Sequence, residues 1–498
     1  MPGLCEPFTI LVVLEATRVE RRLVEAVQAG ELLDVTGERE RDVRAVVIRG
    51  LLCGRFVEEV DPRGVRLRGA RVVGMLDLSD VRTSVPLVLD GCTHEERIVL
   101  TRAHLPHLDL SHGVFPALEA GDLVCEHDVR LRGIRGEWLN LVAADVAGQL
   151  SLHGAQLQAV DCPAVNAERL KVGNGLFLTG IFQARSSSTR GTVCLLGASV
   201  VGPFEVDGAR LEAAYGPALN ADWLTVHGSV FFNEGFTAES DCERGTLRLQ
   251  GAEITGQLNL NGASVLNSAD AGAGLVLISA RVGSDLVMPL HALAAAGSSG
   301  SLLVNVNGLH YPRVPRGATY QEWLVLLAHH TPSYAAQPYQ QLAAVHRAAG
   351  HDQEARQILV AQQRDLRRRG DLGGRGRMFL HAVSGVFIGY GHRPFRALGF
   401  LAGVCALAGV VVVVASVCGV AVQPGSRGSS CSAGEGFGLA VDTAVPVLKA
   451  GGGKRCEIAT TTGSGQVLYL ASYLLQILGW AFATLFVAGY TGLVRKTS

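Results

Sequence analysis

Aromatic residues are scarce, 6% of the chain, and neither sign of charge prevails, with 44 Lys plus Arg set against 45 Asp plus Glu. A broad core built around large rings is therefore not expected, and no whole-chain field marks the protein for nucleic acid. Eleven Cys occur without one Cys-x-x-Cys pair, which excludes a zinc ribbon or a thioredoxin-type site; nine of them read as small, reduced, buried residues. The opening MPGLCEPFTILVVLEATRVERRL holds a short apolar patch but no basic start and no small-residue cleavage site, so a secretory signal is not expected. What the chain has in quantity is glycine, 61 of 498 residues, which suits a slim, turn-rich repeat with a narrow aliphatic core. At this length two or three units are expected.

The middle of the chain aligns with itself. LNLVAADVAGQLSLHGAQL (139–157), VCLLGASVVGPFEVDGARL (193–211) and LRLQGAEITGQLNLNGASV (247–265) superpose without gaps, so that Gly148, Gly202 and Gly256 recur every 54 residues, as do Gly154, Gly208 and Gly262. PAVNAERLKVGNGLFL and PALNADWLTVHGSVFF repeat in step, and VRLRGARVVGMLDLS and IVLTRAHLPHLDLS are looser copies. Each unit alternates apolar and other residues with a period of two and is punctuated by Gly-Ala, the pattern of short strands between turns. A unit this small cannot bury its own apolar face, so neighbours must stack, and a parallel β-solenoid is the expected fold. A β-sandwich or propeller also has short strands, but hairpin signals are missing. A 54-residue unit is too long for one coil and is expected to cover two or more, with ARSSSTRGT and AESDCERGT emerging as polar loops at equivalent positions.

At GARVVGMLDLS and GQLNLNGASV the sequence resembles pentapeptide-repeat and related right-handed β-helix proteins. The resemblance spans roughly residues 65–290, and it implies a right-handed winding and a binding or scaffolding surface. Helical caps are expected at both ends, because open solenoid ends expose strand edges. Residues 1–60 form the N-terminal cap, 61–305 the solenoid and 306–370 a helical hairpin that breaks at Ala349-Gly350-His351. That hairpin resembles a single tetratricopeptide-like pair, with Tyr339, Leu342, Ala355 and Leu359 on the expected packing face.

Residues 371–396 then form a basic juxtamembrane linker. Arg364, Arg367, Arg368, Arg369, Arg375 and Arg377 could meet anionic lipid headgroups, bind nucleic acid or lie solvated; their place before an apolar run favours lipid, and no nucleic-acid partner is expected. Residues 397–422 and 467–494 carry no charge and each exceed the ~20 residues that cross a bilayer. Two transmembrane helices are expected, in a multi-pass cell-membrane protein. Arg393 and Arg396 precede the first and Arg495 and Lys496 follow the second, which puts the solenoid and both termini in the cytoplasm and loop 423–466 outside. Tyr390, Tyr469 and Tyr490 are candidate interfacial anchors, and Trp480, near mid-span, is a candidate either for that role or for packing between helices. Gly399-x-x-x-Gly403 and Ala488-x-x-x-Gly492 offer small faces for helix packing within the chain or in a homo-oligomer, and Cys431 and Cys456 are a candidate disulfide on the oxidising side.

The string Gly389-Tyr390-Gly391 looks like a potassium-channel filter but precedes the first span, where Gly389 and Gly391 permit a bend, Tyr390 sits at the headgroups, Pro394 starts a helix and Arg393 and Arg396 hold it inside. GYGHRPFRAL and LGWAFATLFVAGYTGLVRK are similar to two-span channel-like modules attached to pentapeptide repeats. As a whole, the chain resembles actinobacterial membrane proteins often labelled membrane-associated oxidoreductase. These resemblances imply, respectively, a channel-like protein regulated by its cytoplasmic solenoid and an oxidoreductase. Read from the residues alone, GNGLFLTG (173–180) and GAGLVLISA (272–280) are solenoid turns and not a dinucleotide fingerprint, GGGKR (451–455) lacks the spacing of a phosphate loop, and His104, His107, His153 and His227 do not fall on equivalent positions. No catalytic residue, cofactor or metal is expected. A membrane-anchored scaffold or interaction protein is the reading the residues favour.

Overall fold

The alternating apolar residues become the inward rungs of stacked parallel strands. A computed structural model describes residues 16–56, 60–233, 235–269, 272–290, 303–370, 395–417, 421–422, 457–458 and 463–490. The chain divides into two compact units, Met1–Ile358 and Leu359–Ser498.

In the first unit the chain visits four ladders in turn, and each visit adds a strand parallel to the one before. Face I runs through eleven strands from Leu33–Asp34 to Leu286–Val287, face III through ten from Leu76–Asp77 to Leu303–Asn305, and face IV through eight from His104–Leu105 to Arg281–Val282. Face II consists of a three-strand ladder, Asp42–Arg44, Arg71–Val73 and Thr93–His94, and a six-strand ladder from Arg135–Gly136 to Ser264–Asn267. Single bridges through Val114 join the two. This is a β-solenoid-like fold.

The register explains the repeat. On face I, Leu108 pairs with Val129 and Val129 with Leu150, so these coils take 21 residues. Leu150 then pairs with Leu176, Phe204 with Val230, and the coils between and after them, Leu176 to Phe204 and Val230 to Leu258, are two residues longer. The 54-residue unit is therefore two coils, one of 26 and one of 28. The additional residues of the longer coils lie in the turns around Gly180 and Gly235 and in the loops 187–192 and 241–246.

Corners between faces need left-handed backbone. Between faces III and IV the residues Asp80, Arg102, Asp122, Ala143, Arg169, Gly197, Trp223, Gly251 and Ser279 all have positive φ, and the Ala that often follows points inward, as Ala103, Ala144, Ala198 and Ala252 do. Gly251 is confined twice: its φ is +66, and a Cβ there would sit 2.5 Å from the indole of Trp223 one coil earlier. Asp77 and Asp109, the recurrent acids of LDLS, accept from the backbone N–H of Ser79 and Ser111 at 2.8 and 2.9 Å, so they form turns.

The N-terminal cap is not purely helical. Helices α1 (Arg18–Ala29) and α2 (Ala45–Leu52) cover the first coil, but Leu33–Asp34 already pairs with Leu67–Arg68 on face I, and Asp42–Arg44 pairs with Arg71–Val73 on face II. At the other end, bridges Arg281 to His310 and Val287 to Arg316 carry the coils past residue 305. Helix α3 (Tyr320–His329) follows, opened by a capping box between Thr319 and Glu322, and then α4 (Ala336–Ala348) and α5 (Asp352–Arg369). Tyr339, Leu342 and Ala355 are buried, whereas Leu359 is half-exposed and Ile358 takes the inward position beside it.

Seven cysteines fall among the described residues, all with free thiols. Cys92, Cys125, Cys194 and Cys242 are buried, Cys162 and Cys405 half-buried, and Cys53 exposed, which corrects the expectation of burial for that residue: it follows the last turn of α2, at the rim of the cap. Burial pushes the thiols of Cys92 and Cys194 up to about 12 and that of Cys125 to about 11, so the reactive thiolate is suppressed. Iodoacetamide at mildly alkaline pH should label Cys53 in the folded protein and reach Cys92, Cys125 and Cys194 only after denaturation; rapid labelling of Cys125 in mass spectra of the native chain would contradict its place in the core.

In the second unit, α6 (Phe395–Val417) and α7 (Gly463–Tyr490) pack together through Val404, Ala408, Leu475 and Phe482, with Phe400 stacked on Phe482 at 5.6 Å. Among the described residues one helix is long and apolar enough to cross a membrane, over Tyr469–Val487; the apolar stretch of α6 is shorter, Ala397–Val411. The expected span 397–422 does not run to its end as helix, because Ala421–Val422 forms an antiparallel pair with Glu457–Ile458. An apolar run sets where a helix can lie but not where a β-branched end pairs as strand.

Candidate functional site

On face II the strands lengthen from two residues at Arg135–Gly136 to four in the later coils: Gln156–Ala159, Gln183–Ser186, Arg210–Ala213, Thr237–Ser240 and Ser264–Asn267. Alternation turns Leu157, Ala184, Leu211, Ala238 and Val265 into the core and sends two columns of side chains outward. Register aligns Gln156, Gln183, Arg210, Thr237 and Ser264 in one column, and Gln158, Arg185, Glu212, Glu239 and Leu266 in the other. Neighbours in a column are ~4.8 Å apart, the spacing of paired strands.

The loops after these strands wall one side of the face. The polar segments 184–192 and 238–246 are only partly loop, because Ala184–Ser186 and Ala238–Ser240 belong to the strands. Hydroxyls anchor the rest: Ser186 Oγ donates to Cys162 O at 2.7 Å, Thr192 Oγ1 to Glu212 O at 2.7 Å and Thr246 Oγ1 to Leu266 O at 2.8 Å, and Ser240 Oγ lies 2.9 Å from Thr246 Oγ1. Asn267 Nδ2 donates to Cys242 O at 2.8 Å. These hydroxyls and the amide are committed to shape. Two adjoining grooves result, of about 450 Å³ near Arg135, Gln156, Gln183 and Arg210, and about 510 Å³ toward Val160, Ser187, Glu239 and Asp241.

Charge is graded along the surface. Arg135, Arg185 and Arg210 line the first groove and Glu212, Glu239 and Asp241 the second, with the ion pair between Arg185 and Glu212 at the junction. Such an arrangement of amides, guanidinium groups and carboxylates on a rigid sheet can hold a polar, extended ligand by many hydrogen bonds. The signal in the sequence was the even spacing of the polar segments; the outward columns between the repeats were missed, since their residues differ from coil to coil.

The residues singled out in the sequence fall elsewhere. Gly389, Tyr390, Gly391, Arg393 and Pro394, the candidate disulfide Cys431 and Cys456, and Gly492 lie outside the described residues; Arg396 and Ala488 are within α6 and α7. Gly399 and Gly403 are exposed, and a Cβ on either would meet no atom within 4 Å, so the contact between α6 and α7 does not use them. Tyr469, Trp480 and Tyr490 are exposed along α7. Arg364, Arg367, Arg368 and Arg369 end α5, where Asp365 receives Arg368 at 3.1 Å and Arg369 at 2.6 Å, so the basic run is partly neutralised within its own helix; Arg375 and Arg377 lie outside the described residues. His153 stacks on Gly180 at a corner and meets Thr179 Oγ1 at 3.0 Å, and His104 on face IV meets Glu126 at 3.4 Å; these histidines sit at different edges. Gly173 and Gly175 occupy a coil corner, where a Cβ on Gly173 would strike Ala147 O.

Comparison with protein-family models, with curated proteins and with solved structures finds no match. Function is therefore argued from the face itself.

Proposed function

We propose that the chain is a membrane-anchored interaction protein that presents face II of a right-handed solenoid to a protein partner. The observation that carries the proposal is the pair of outward columns, polar at every position but Leu266, held in register over five coils and framed by loops whose hydroxyls are bonded to the sheet. A surface ordered in this way pays little conformational entropy when it binds. The anchor is α6 with α7, both crossing the bilayer and leaving the solenoid and the termini in the cytoplasm. It is supported by the apolar side chains that α7 leaves exposed, among them Leu470, Leu474, Ile477 and Val487, since a helix that is apolar on its outer face needs lipid or protein against it.

Photo-crosslinking in cells tests both parts. With the reactive group at Gln183 a specific adduct should form that is lost on Arg210→Glu, and the same group at Lys171 on face IV should give none. Equal labelling from both positions, or none from Gln183, would sink the assignment of face II. The chain should stay with membranes in alkaline carbonate; its release would remove the anchor.

A further inference from the structure

The turn between α4 and α5 gathers three side chains of metal-ligating type. His346 lies in the last turn of α4, the backbone reverses at Gly350 with φ +85, His351 precedes α5, and Glu354 stands in the first turn of α5. Backbone bonds fix the turn: His351 N donates to His346 O at 2.9 Å, Gly350 N to Arg347 O at 3.0 Å and Ala355 N to His351 O at 3.0 Å. In consequence His346 Nδ1 is 2.7 Å and His351 Nδ1 3.5 Å from the same oxygen, Oε2 of Glu354. The three donor atoms lie within 4.8 Å of one another, and the two imidazole centroids are 5.8 Å apart.

A second observation separates this cluster from an ordinary ion pair. His346 is only 4% exposed, and its Nδ1 makes no hydrogen bond although a carboxylate oxygen is near. The 2.7 Å separation is short enough for one, but the direction is not that of a ring N–H donating to the oxygen. Leaving a buried polar atom without a well-directed partner costs about 1–3 kcal/mol, and the carboxylate nearest to it is the one that His351 also approaches. Zinc holds N and O ligands at about 2.0–2.2 Å, which sets donors of a tetrahedral shell roughly 3.3 Å apart, between the two contacts seen here. Tyr320 packs edge-on to His346 at 6.1 Å and donates its hydroxyl to Gln357 Oε1 at 2.7 Å, which fixes one wall.

We propose that His346, His351 and Glu354 bind a divalent first-row metal ion of the Zn2+ type at the hairpin turn. Two imidazoles and one carboxylate select such ions over Mg2+ or Ca2+, which prefer oxygen shells. His351 and Glu354 are partly exposed, which provides the entry path and leaves the fourth position to water. The ion ties the end of α4 to the start of α5 and stiffens the hairpin.

The full-length protein in detergent tests this by calorimetric titration with Zn2+ in competition with a chelator, and by visible absorption on adding Co2+. One Zn2+ per chain is expected, weakened at least tenfold by His351→Ala and by Glu354→Gln, and the Co2+ bands should vanish in the double variant. Because both positions are partly exposed, the metal-free double variant should keep the melting temperature of the metal-free wild type, while only the wild type gains on adding Zn2+. No stoichiometric Zn2+ in the wild type, or an unchanged affinity in the double variant, overturns the site.

Discussion

Phe232→Ala is expected to destabilise the solenoid by about 3–5 kcal/mol, the range for removing a buried aromatic side chain. Phe232 is fully buried and meets two further rings, Phe204 one coil earlier at 6.2 Å and 75°, and Phe236 at the following corner at 5.0 Å and 57°. In a chain with so few aromatics, three rings thus meet in the core of the later coils. Strands of two residues, pinned on both sides by neighbouring coils, cannot collapse into the space left, so the cavity term persists alongside the lost transfer energy. Because each coil touches only its neighbours, the loss should appear as early melting of the coils around residues 204–260. Urea titration followed by hydrogen exchange would show it, with Phe232→Leu, which leaves a smaller cavity, as the milder variant expected to lose less than Phe232→Ala. A loss of about 0.5 kcal/mol or less for the alanine variant, the size of a surface substitution, would show that the rings do not carry this part of the core.

The second large effect is expected at Glu20. Its carboxylate is fully buried and accepts four hydrogen bonds, from Arg44 N at 3.0 Å and Nε at 2.8 Å on one oxygen, and from Thr17 N at 2.9 Å and Arg44 Nη2 at 2.8 Å on the other. It closes the capping box of α1 and ties that helix to the first strand of face II. Glu20→Gln removes the charge and cannot satisfy all four donors. The cost should be about 2–4 kcal/mol, below that of a fully buried pair because Arg44 keeps a third of its side chain in solvent. Burial by itself would raise the carboxyl, but the bonds from Arg44 and Thr17 outweigh it and hold Glu20 below its ordinary 4.5. A depressed folded-state value means that the stabilisation is complete above about 4.5 and is lost as pH falls through the folded value. The melting temperatures of wild type and Glu20→Gln should therefore differ most near neutrality and converge in acid. A gap that stays constant well below 4.5 would show that the charge is not the cause.

The stacking of parallel strands was legible in Gly148, Gly202 and Gly256, but for a reason the repeat itself hid. Loops after face II alternate in length from coil to coil, so like falls on like only at every second coil, and the 21-residue coils before Leu150 align poorly with the rest. The cap strands at Leu33–Asp34 and Asp42–Arg44 are too short to show a period, and pairing with a later coil is what makes them strands. Among the apolar segments, composition located α6 and α7 but not the strand at Ala421–Val422 or the residues that join the helices, since Val404 and Phe482 do the packing and Gly399 and Gly403 do not. His346, His351 and Glu354 escaped notice because the helix break divides them; only the reversal at Gly350 brings them together.

The alternation of coil lengths also restricts how such a chain can grow. A tandem duplication of 54 residues inserts one shorter and one longer coil, lengthens face II by about 10 Å, and leaves every later strand opposite its former kind of neighbour. Duplicating one coil alone sets two loops of like length side by side and breaks the order of the wall from that point on. The length of face II is thus quantised in pairs of coils, and Gly154, Gly208 and Gly262 are spaced by that step.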